Sequence, residues 1–498
     1  MFARVCSIQP GFPTSSQINV EADVSRGLYS FAVVGLASKA VEEARDRISS
    51  AIKHSGFTSP KSHNHKVVIS LAPADVRKER AVFDLPMALA YLLSAEEISF
   101  DPTQTIFLGE LGLDGTLRPL RGVLSAAIAA KNLGFNEIIV PKENAEEASL
   151  IEGIYVVGIE TLSQTIEHIT KKKIVPHTPH TNHIQAPTSP HVDMSDIRGQ
   201  ETAKRGLEIA ASGRHNIAFI GPPGTGKTML ATALAGILPT LSFEEAVEVT
   251  SIHSIAGTLA DTLISLPPLR TPHHTSSYVA LVGGGALLKP GEITLAHRGV
   301  LFLDEFPEFE RRALEALREP LENRSITIAR AVGSAIFPAN IMLVAAMNPP
   351  KPNADPREVA RFSKKLSGAI IDRIDLWVDV PHVSHEKLSG GALGDSSSNI
   401  RQRVEQARFR QRERNLSHTQ SAITNSELPG KVLGVGLGIG DEATKTLADA
   451  TKTFKLSPRS YHRILRLART IADLDESEKV TKHHVLEALQ YRPRFLQH

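Results

Sequence analysis

The feature that most constrains this sequence is a glycine-rich loop between two apolar segments. Residues 216–220 (NIAFI) are typical of a short strand, and residues 229–238 (MLATALAGIL) have the composition of a buried helix. The loop between them contains Gly221, Pro222, Pro223, Gly224, Thr225, Gly226, Lys227 and Thr228. A strand, a G-x-x-x-x-G-K-[ST] loop and a helix in that order predict a phosphate-binding loop, because backbone N–H groups surround phosphates at the helix N-terminus. The alternative is a glycine-rich turn that arose by chance. The strand before the loop and the helix after it argue against that alternative.

Two residues of the loop have the chemistry to bind a nucleoside triphosphate together with a magnesium ion. We expect Lys227 to reach the β and γ phosphates, and the hydroxyl of Thr228 to bind Mg²⁺. The ligands predicted from this loop are ATP and Mg²⁺. The predicted core is an α/β fold, a parallel sheet with flanking helices.

A second apolar strand ends in two carboxylates. Residues 299–306 read GVLFLDEF, in which Asp304 and Glu305 follow the apolar run directly. We expect Asp304 to hold the Mg²⁺ shell and Glu305 to orient or deprotonate the attacking water, because phosphoryl transfer depends on positioning and charge neutralisation. Alone, such a pair could cap a helix or lie in a solvated turn. Following a phosphate-binding loop, it favours a second nucleotide motif.

A third apolar strand, residues 341–347 (IMLVAAM), ends at Asn348. In a sheet of this kind Asn348 would approach the γ phosphate and orient the water that Glu305 activates. The alternative is an asparagine that only starts a turn before Pro349.

Together these motifs resemble the AAA+ ATPases, and the segments between them are similar to the magnesium-chelatase-like branch. An N-terminal domain precedes the core, as in the ComM (YifB) family, which the layout resembles most. The segments that carry the resemblance are His273, His274 and Thr275, residues 282–285 (VGGG), residues 291–299 (GEITLAHRG), residues 366–376 (LSGAIIDRIDL) and residues 457–474 (SPRSYHRILRLARTIADL).

The resemblance implies that two arginines take part in hydrolysis. By motif position, Arg373 would be the arginine finger that reaches the nucleotide of a neighbouring subunit. Arg459 would be the sensor 2 arginine, which contacts the γ phosphate from a helical lid. Both roles imply a homo-hexameric ring, and a guanidinium at the γ phosphate neutralises transition-state charge. Each arginine taken alone could be a surface salt-bridge partner.

The first third of the chain resembles the Lon-protease-like fold, related to the second domain of ribosomal protein S5, that this family shares with the bacterial RadA recombination protein. Residues 78–89 and 109–144 carry this resemblance. A Lon peptidase needs a serine nucleophile and an activating lysine. Residues 81–83 (AVF) stand in the serine region and residues 122–124 (GVL) in the lysine region. We therefore expect an α+β domain without peptidase activity.

These resemblances divide the chain into four parts. They are a Lon-protease-like domain (1–170), a linker (171–194), an AAA+ core with chelatase-type insertions (195–385) and a helical lid (399–498). Four histidines in the linker could bind a metal, but a Pro- and Thr-rich tract without periodicity favours a solvated linker. Family members commonly carry a cysteine cluster after the third strand, and residues 348–365 contain no cysteine. We expect no zinc.

Any DNA contact must come from a local patch, because 56 Lys and Arg against 54 Asp and Glu leave a net charge of only +2. Related motors place a hairpin in the ring's pore, which makes Arg330, within residues 325–338, one candidate. The basic, helix-like residues 401–414 offer Arg408, Arg410 and Arg412 as phosphate contacts. A solvated helix face, or a surface for an acidic partner, is the alternative.

The family resemblance implies a DNA motor that drives branch migration of recombination intermediates during natural transformation, with branched DNA as its partner. The opposing hypothesis is a protein-remodelling or metal-insertion chaperone, like the chelatase I subunit, that does not act on DNA. No apolar run approaches the ~20 residues that a membrane span needs, so we expect a cytoplasmic protein.

Overall fold

The computed structural model describes residues 1–35, 43–62, 64–76, 78, 81–181, 192–285, 289–330, 333–350, 362, 365–383, 394–419, 423–433 and 437–493. The chain forms two compact units. Unit 1 comprises Met1–Gln185 and Phe243–Ile264, and unit 2 comprises Ala186–Ser242 and Ser265–His498. Unit 1 is therefore built from two separate stretches of the chain.

The strands are numbered in chain order. They are β1 (Phe2–Gln9), β2 (Ser16–Arg26), β3 (Ser30–Val34), β4 (His65–Ala72), β5 (Thr105–Phe107), β6 (Glu110–Leu111), β7 (Leu117–Arg118), β8 (Glu137–Pro141), β9 (Tyr155–Ile159), β10 (Ile217–Ile220), β11 (Leu269–Arg270), β12 (Gly283–Gly284), β13 (Lys289–Pro290), β14 (Val300–Leu303), β15 (Ser325–Arg330), β16 (Gly333–Pro338), β17 (Met342–Met347) and β18 (Leu376–Asp379).

The α-helices are numbered in the same way. They are α1 (Ala44–His54), α2 (Asp84–Ser94), α3 (Val123–Asn132), α4 (Ala145–Ala148), α5 (Leu162–Ile169), α6 (Glu201–Gly213), α7 (Lys227–Ile237), α8 (Phe243–Ala256), α9 (Tyr278–Val282), α10 (Glu292–Leu295), α11 (Arg311–Ala316), α12 (Arg318–Asn323), α13 (Gly368–Ile371), α14 (Ser397–Thr419), α15 (Asp441–Phe454), α16 (Pro458–Leu474) and α17 (Lys482–Gln490). No helix in the described part of the chain has the length and hydrophobicity that a bilayer crossing needs.

Unit 1 contains a mixed seven-stranded sheet in the order β3-β4-β2-β1-β5-β8-β9. Strand β2 runs antiparallel to β1 and to β4, and the other neighbours in the sheet run parallel. Alternate residues of β1 and β2 are buried, so that Val5 lies opposite Val20 on the covered face. Helix α2, in which Leu85, Leu89 and Leu92 are buried, packs against these two strands. The unit therefore has the α+β character that the sequence predicted.

Helix α8 belongs to unit 1 although its sequence follows the glycine-rich loop. It packs on α3, and Ser254 joins a buried hydrogen-bond network there. The hydroxyl of Ser254 accepts a hydrogen bond from the N–H of Gly122 at 2.8 Å and donates to the carboxylate of Glu147. The same carboxylate accepts the N–H of Leu124 at 3.1 Å. This network satisfies backbone groups at the first turn of α3, where intrahelical partners are missing.

The first part of the predicted linker lies against unit 1. The N–H of Val175 donates to Nδ1 of His168 at 3.0 Å, and the N–H of Thr178 donates to the carbonyl of Val156 in β9 at 2.8 Å. These two contacts tie down an irregular segment most of whose described residues are exposed, in agreement with the solvated character that the composition predicted. His183 and His191 lie outside the described residues.

Unit 2 contains a five-stranded parallel sheet in the order β11-β14-β17-β10-β18. Strand β10 is paired on both sides, with Ile217 opposite Val344 of β17 and Leu376 of β18. Strands β14 and β17 are buried along their whole lengths, as expected of a parallel sheet covered on both faces. The carboxyl ends of β10, β14 and β17 consequently meet at one edge. The strands predicted at residues 216–220, 299–306 and 341–347 are confirmed, with small shifts at their ends.

The C-terminal part of unit 2 is helical, as the sequence predicted. Helix α16 begins at Pro458, in the first helical position after Ser457, whose hydroxyl accepts the N–H of Ser460 at 3.2 Å. The apolar residues at helical spacing in α16, such as Ile464 and Ile471, are buried against the rest of unit 2. The hairpin predicted at residues 325–338 is confirmed as β15 and β16.

Candidate nucleotide-binding site

The glycine-rich loop connects β10 to α7 in a conformation that depends on its glycines. Gly224 and Gly226 have φ values of +76° and +89°, in the left-handed region that favours glycine. A Cβ atom on Gly221 would lie 2.1 Å from the carbonyl oxygen of Val380, closer than any real contact. These glycines allow the tight turn that leads from β10 into α7. The loop ends at the N-terminus of α7, where free N–H groups and the helix dipole favour an anion.

Lys227 is the first residue of α7, and its side chain is folded over the loop. Its Nζ donates to the carbonyl oxygens of Gly221 and Pro222 at 2.7 and 2.8 Å, and to Oδ1 of Asn348 at 3.0 Å. Burial lowers the pKa of Lys227, and the negative charge of Asp304 opposes that shift. Phosphate oxygens could replace these neutral acceptors with stronger, charged ones. The contact with Asn348 also joins the loop to the end of β17.

Thr228 and Asp304 come together from different elements. The hydroxyl of Thr228 donates to Oδ2 of Asp304 at 2.9 Å, across the gap between α7 and the end of β14. A hydroxyl and a carboxylate are the oxygen ligands that Mg²⁺ takes up beside phosphates and water. The donor set present here therefore fits the magnesium ion that the loop implies.

Glu305 has an uncommon backbone conformation. Its φ of +50° lies in the left-handed region, which non-glycine residues rarely adopt and which is often found at functional sites. Its Oε2 lies 2.9 Å from Nδ1 of His274, and its side chain is exposed at the mouth of the site. The carboxylate is thus held by an imidazole on one side and is open to solvent on the other.

These groups surround one cavity of about 820 Å³. Its lining consists of Pro223, Gly224, Thr225, Gly226, Lys227, Thr228, Met229, Thr232, Thr271, Pro272, His273, His274, Phe302, Asp304, Glu305 and Asn348. The structure therefore brings together the residues that three separate sequence motifs predicted. Pro222 contributes to the loop through its carbonyl oxygen, which accepts hydrogen bonds from Lys227 and Thr225.

His273 and His274 are site residues that the sequence reasoning used only as marks of family resemblance. They follow β11, which runs parallel to β14 and so ends at the same edge of the sheet. Because β11 has only two residues, Leu269 and Arg270, no periodicity marks it in the sequence. The strand order was needed to place the histidines beside Glu305.

Arg373 and Arg459 converge on each other in unit 2. Both guanidinium groups bind the carboxylate of Glu322 in α12, with Arg459 Nη2 at 3.1 Å from Oε1 and Arg373 on Oε2. They line a second cavity of about 400 Å³, which also contains Arg324, Arg463 and other residues. Neither arginine is among the residues that line the cavity at the glycine-rich loop.

Three regions of the chain match sequence profiles of one protein. Residues 193–388 match the family described as magnesium chelatase, subunit ChlI. Residues 20–144 match the profile of subunit ChlI of Mg-chelatase, and residues 394–492 match the C-terminal profile of the same subunit.

Two bacterial relatives are similar over nearly the whole chain. YifB from Salmonella typhimurium is 41% identical, over 95% of this chain and 94% of that protein. Competence protein ComM from Haemophilus influenzae is 39% identical, over 95% of this chain and 94% of that protein. The chain belongs to the magnesium-chelatase-like family of ComM and YifB. It is accordingly an AAA+ protein with a P-loop core, and the family supports ATP as its substrate.

A more distant relative of this ComM/YifB family member matches part of the chain. DNA replication licensing factor Mcm6 from Drosophila melanogaster is 24% identical over 59% of this chain and 36% of that protein.

The basic segment predicted to contact DNA is helix α14, and most of its arginines are used inside the fold. The side chain of Arg408 is only 8% exposed, and its guanidinium donates to the carbonyl of Ala211 in α6 at 2.7 and 3.0 Å. Arg410 binds the carbonyl of Asp473 and the carboxylate of Glu476. Arg408 is therefore not on a surface that a DNA backbone reaches, which corrects the sequence prediction. Periodicity alone did not separate buried from exposed arginines.

The remaining DNA candidates occupy different positions. Arg412 is exposed on α14. Arg330 is the last residue of β15, opposite Gly333 at the end of the hairpin, and its side chain lies outside the described part of the structure. Residues 351–361, within the segment on which the no-zinc prediction rests, also lie outside it.

Proposed function

We propose that the protein is an ATP-hydrolysing ring motor that acts on DNA in the cytoplasm, a branch-migration helicase supporting homologous recombination in natural transformation. The observation that supports hydrolysis is the meeting of Lys227, Thr228, Asp304, Glu305 and Asn348 at one edge of a parallel sheet. The DNA part rests on similarity to competence protein ComM along nearly the whole chain.

Each residue has a defined task in this proposal. The glycine-rich loop and the N-terminus of α7 bind the phosphates, and Lys227 leaves its loop carbonyls to contact the β and γ phosphates. Glu305 accepts the proton of the attacking water, which Asn348 orients. A magnesium ion held by Thr228 and Asp304 would neutralise phosphate charge.

Arg373 and Arg459 complete the proposal from outside the cavity. Because both lie together at Glu322 and neither lines the cavity of its own subunit, we assign both to the nucleotide of a neighbouring subunit. Hydrolysis would then depend on assembly into a ring, which we propose is a homo-hexamer. An arginine supplied in this way stabilises the charge of the transition state.

A second function has one specific observation in its favour. All three matching profiles describe a subunit of magnesium chelatase. A protein-remodelling or metal-insertion chaperone without DNA is therefore the alternative. It shares the nucleotide site and differs in what the motor moves.

The test is steady-state ATPase activity of the full chain without DNA, with duplex DNA and with branched DNA. Lys227→Ala provides the blank, because it removes the cation that binds the phosphates. Strong stimulation by branched DNA is expected, and it would justify a branch-migration assay. Turnover that ignores DNA would favour the chaperone, and turnover that persists in Lys227→Ala would refute the nucleotide site itself.

A further inference from the structure

Glu322 binds both of the arginines that we assign to the nucleotide of a neighbouring subunit. Its two carboxylate oxygens are divided between them, Oε1 for Arg459 and Oε2 for Arg373. Arg373 also donates through Nη1 to the carbonyl of Ala369 at 2.6 Å, so its guanidinium is fixed on α13. Glu322 thus presents two oxygens to two guanidinium groups, as one phosphate group would.

The contact with Glu322 differs from those of Arg463 and Arg466 around the same cavity, and from that of Arg324, whose partner Glu427 is only 8% exposed. Arg463 donates to the carbonyl oxygens of Ile371 and Ile374, and Arg466 donates to the carbonyl of Leu428. Those partners are backbone groups within the fold. Glu322 is instead a side chain that is 50% exposed, and Arg459 is 58% exposed.

Electrostatics favour the contact of Glu322 with both arginines, and solvent weakens it on the Arg459 side. The guanidinium of Arg373 beside Glu322 lowers the pKa of that carboxyl, and Arg459 adds to the effect, so the carboxylate is charged at neutral pH. The Arg459–Glu322 pair is exposed on both sides, so water screens it, whereas the Arg373 side chain is only 13% exposed. A phosphate group carries more negative charge than a carboxylate and makes stronger hydrogen bonds with arginine.

We propose that Glu322 is a positioning residue that holds Arg373 and Arg459 together in the unassembled subunit and is displaced from them by a phosphate group. The carboxylate keeps the pair aligned and also competes with the anion that the pair is to bind. This inference rests on the proposed role of the two arginines at a neighbouring nucleotide. It adds a regulatory contact that must open each time a subunit interface forms around ATP.

The experiment measures binding of inorganic pyrophosphate to the full chain by titration calorimetry. All proteins carry Lys227→Ala, which weakens competing anion binding at the glycine-rich loop. Glu322→Gln keeps the size and removes the charge, so we expect pyrophosphate to bind about tenfold more tightly, as loss of one nearby negative charge predicts. Glu322→Ala should change affinity in the same direction. Unchanged or weaker binding in both variants would overturn the proposal.

Two further variants make the result specific. Glu319→Gln is the matched control, because Glu319 lies on the same helix but accepts the N–H and hydroxyl of Thr327 at 3.0 and 2.7 Å. It should bind pyrophosphate as the parent does, and an equal gain there would refute a specific role for Glu322. Adding Arg459→Ala to Glu322→Gln should abolish the gain in pyrophosphate affinity. If the gain persists, pyrophosphate binds at a site other than the Arg373–Arg459 pair.

The readout requires neither ATP turnover nor DNA, so this inference and the proposed function fail separately. A gain in pyrophosphate affinity, combined with no ATPase activity in the chain that keeps Lys227, would support the Glu322 contact and reject the motor. A protein with DNA-stimulated ATPase activity and no gain would reject the Glu322 contact alone.

Discussion

In the proposed mechanism, hydrolysis depends most directly on Glu305. It follows the buried strand β14 in a left-handed conformation, and its carboxylate meets His274 rather than the phosphate-binding loop. A non-glycine residue is kept in such a conformation only when the surrounding structure compensates its cost. The geometry therefore separates the carboxylate that we propose to activate water from the groups that we propose to hold phosphate.

Glu305→Gln should bind ATP and fail to hydrolyse it. The amide keeps the shape of the side chain but cannot accept a proton, so turnover should fall by about 10²-fold or more. Phosphate release and equilibrium binding of a fluorescent ATP analogue measure the two effects separately. Glu308→Gln is the control, because Glu308 is exposed and pairs with Lys365. Loss of ATP binding in Glu305→Gln would contradict the assigned role.

His274→Ala should lower kcat with little change in KM. Loss of the imidazole at 2.9 Å leaves the carboxylate of Glu305 without the partner that holds it. Since a hydrogen bond to a charged group contributes roughly 1.5–3 kcal/mol, a loss of tenfold or more in kcat is expected. His273→Ala, in which the neighbouring ring that bonds Thr275 is removed, should have a smaller effect. Equal kcat values for the two variants would count against a role for His274.

Helix α14 shows why a basic helix need not be a binding surface. Its charge pattern suggested a DNA-contacting face, but Arg401, Arg408 and Arg414 bind groups in neighbouring parts of unit 2. An arginine that satisfies buried carbonyl groups stabilises helix packing and leaves little charge for a ligand.

Arg408→Ala should destabilise the protein, and Arg412→Ala should not. Truncation of Arg408 leaves the carbonyl of Ala211 without its donor, at a cost of about 2 kcal/mol. Exposed Arg412 should change stability by less than about 0.5 kcal/mol. Thermal melts followed by circular dichroism measure both. If Arg408→Ala kept its Tm and lost DNA stimulation, the interior placement of that guanidinium would be refuted.

Glu427 connects the C-terminal helices to the sheet of unit 2 and should make that connection sensitive to acid. It is only 8% exposed and accepts hydrogen bonds from Asn340 at 3.1 Å and from Arg324 at 3.0 Å. Burial alone would raise its pKa, but Arg324 and Arg214 outweigh burial and lower the pKa to about 2. A carboxyl with a lowered pKa stabilises the fold above its unfolded pKa and loses that contribution as the pH falls toward 2.

Glu427→Gln should therefore lower Tm at pH 7, and its effect should shrink progressively as the pH falls from about 4.5 toward 2. The loss at neutral pH is expected to be a few kcal/mol, the order that such a shift implies. Thermal melts across this pH range measure the difference from the parent protein. Glu413→Gln, on the exposed face of α14, is the control and should follow the parent at every pH. A difference between Glu427→Gln and the parent that does not depend on pH would contradict the ionised pair.

Subunit mixing tests whether catalysis is shared across the assembly. Arg373→Ala should lose about 10³-fold or more in ATP turnover if its guanidinium acts at the γ phosphate. Mixed with wild-type subunits, it should lower activity by more than its share, because each defective arginine disables a neighbour's site. ATPase activity against the mixing ratio measures this. A strictly proportional decline would mean that Arg373 acts only within its own subunit.

The sequence alone determined the parts of this protein that depend on neighbouring residues. The apolar runs predicted β10, β14 and β17, and the glycines of the loop predicted the turn into α7. Pro458 marked the start of α16 and residues 325–338 the hairpin. These features are local, because a strand, a cap or a tight turn is set by a few consecutive side chains.

Tertiary structure decided which of these pieces meet. It brings His274 into contact with Glu305. It joins Arg373 and Arg459 through the carboxylate of Glu322. It also buries Arg408 against α6. It also assigned residues 243–264 to unit 1. Such contacts depend on strand order and on which face of a helix is covered, and both follow from packing between distant segments. One sequence carries no separate signal for them, because the same arginine or histidine suits a surface, a core or a site until its neighbours are known.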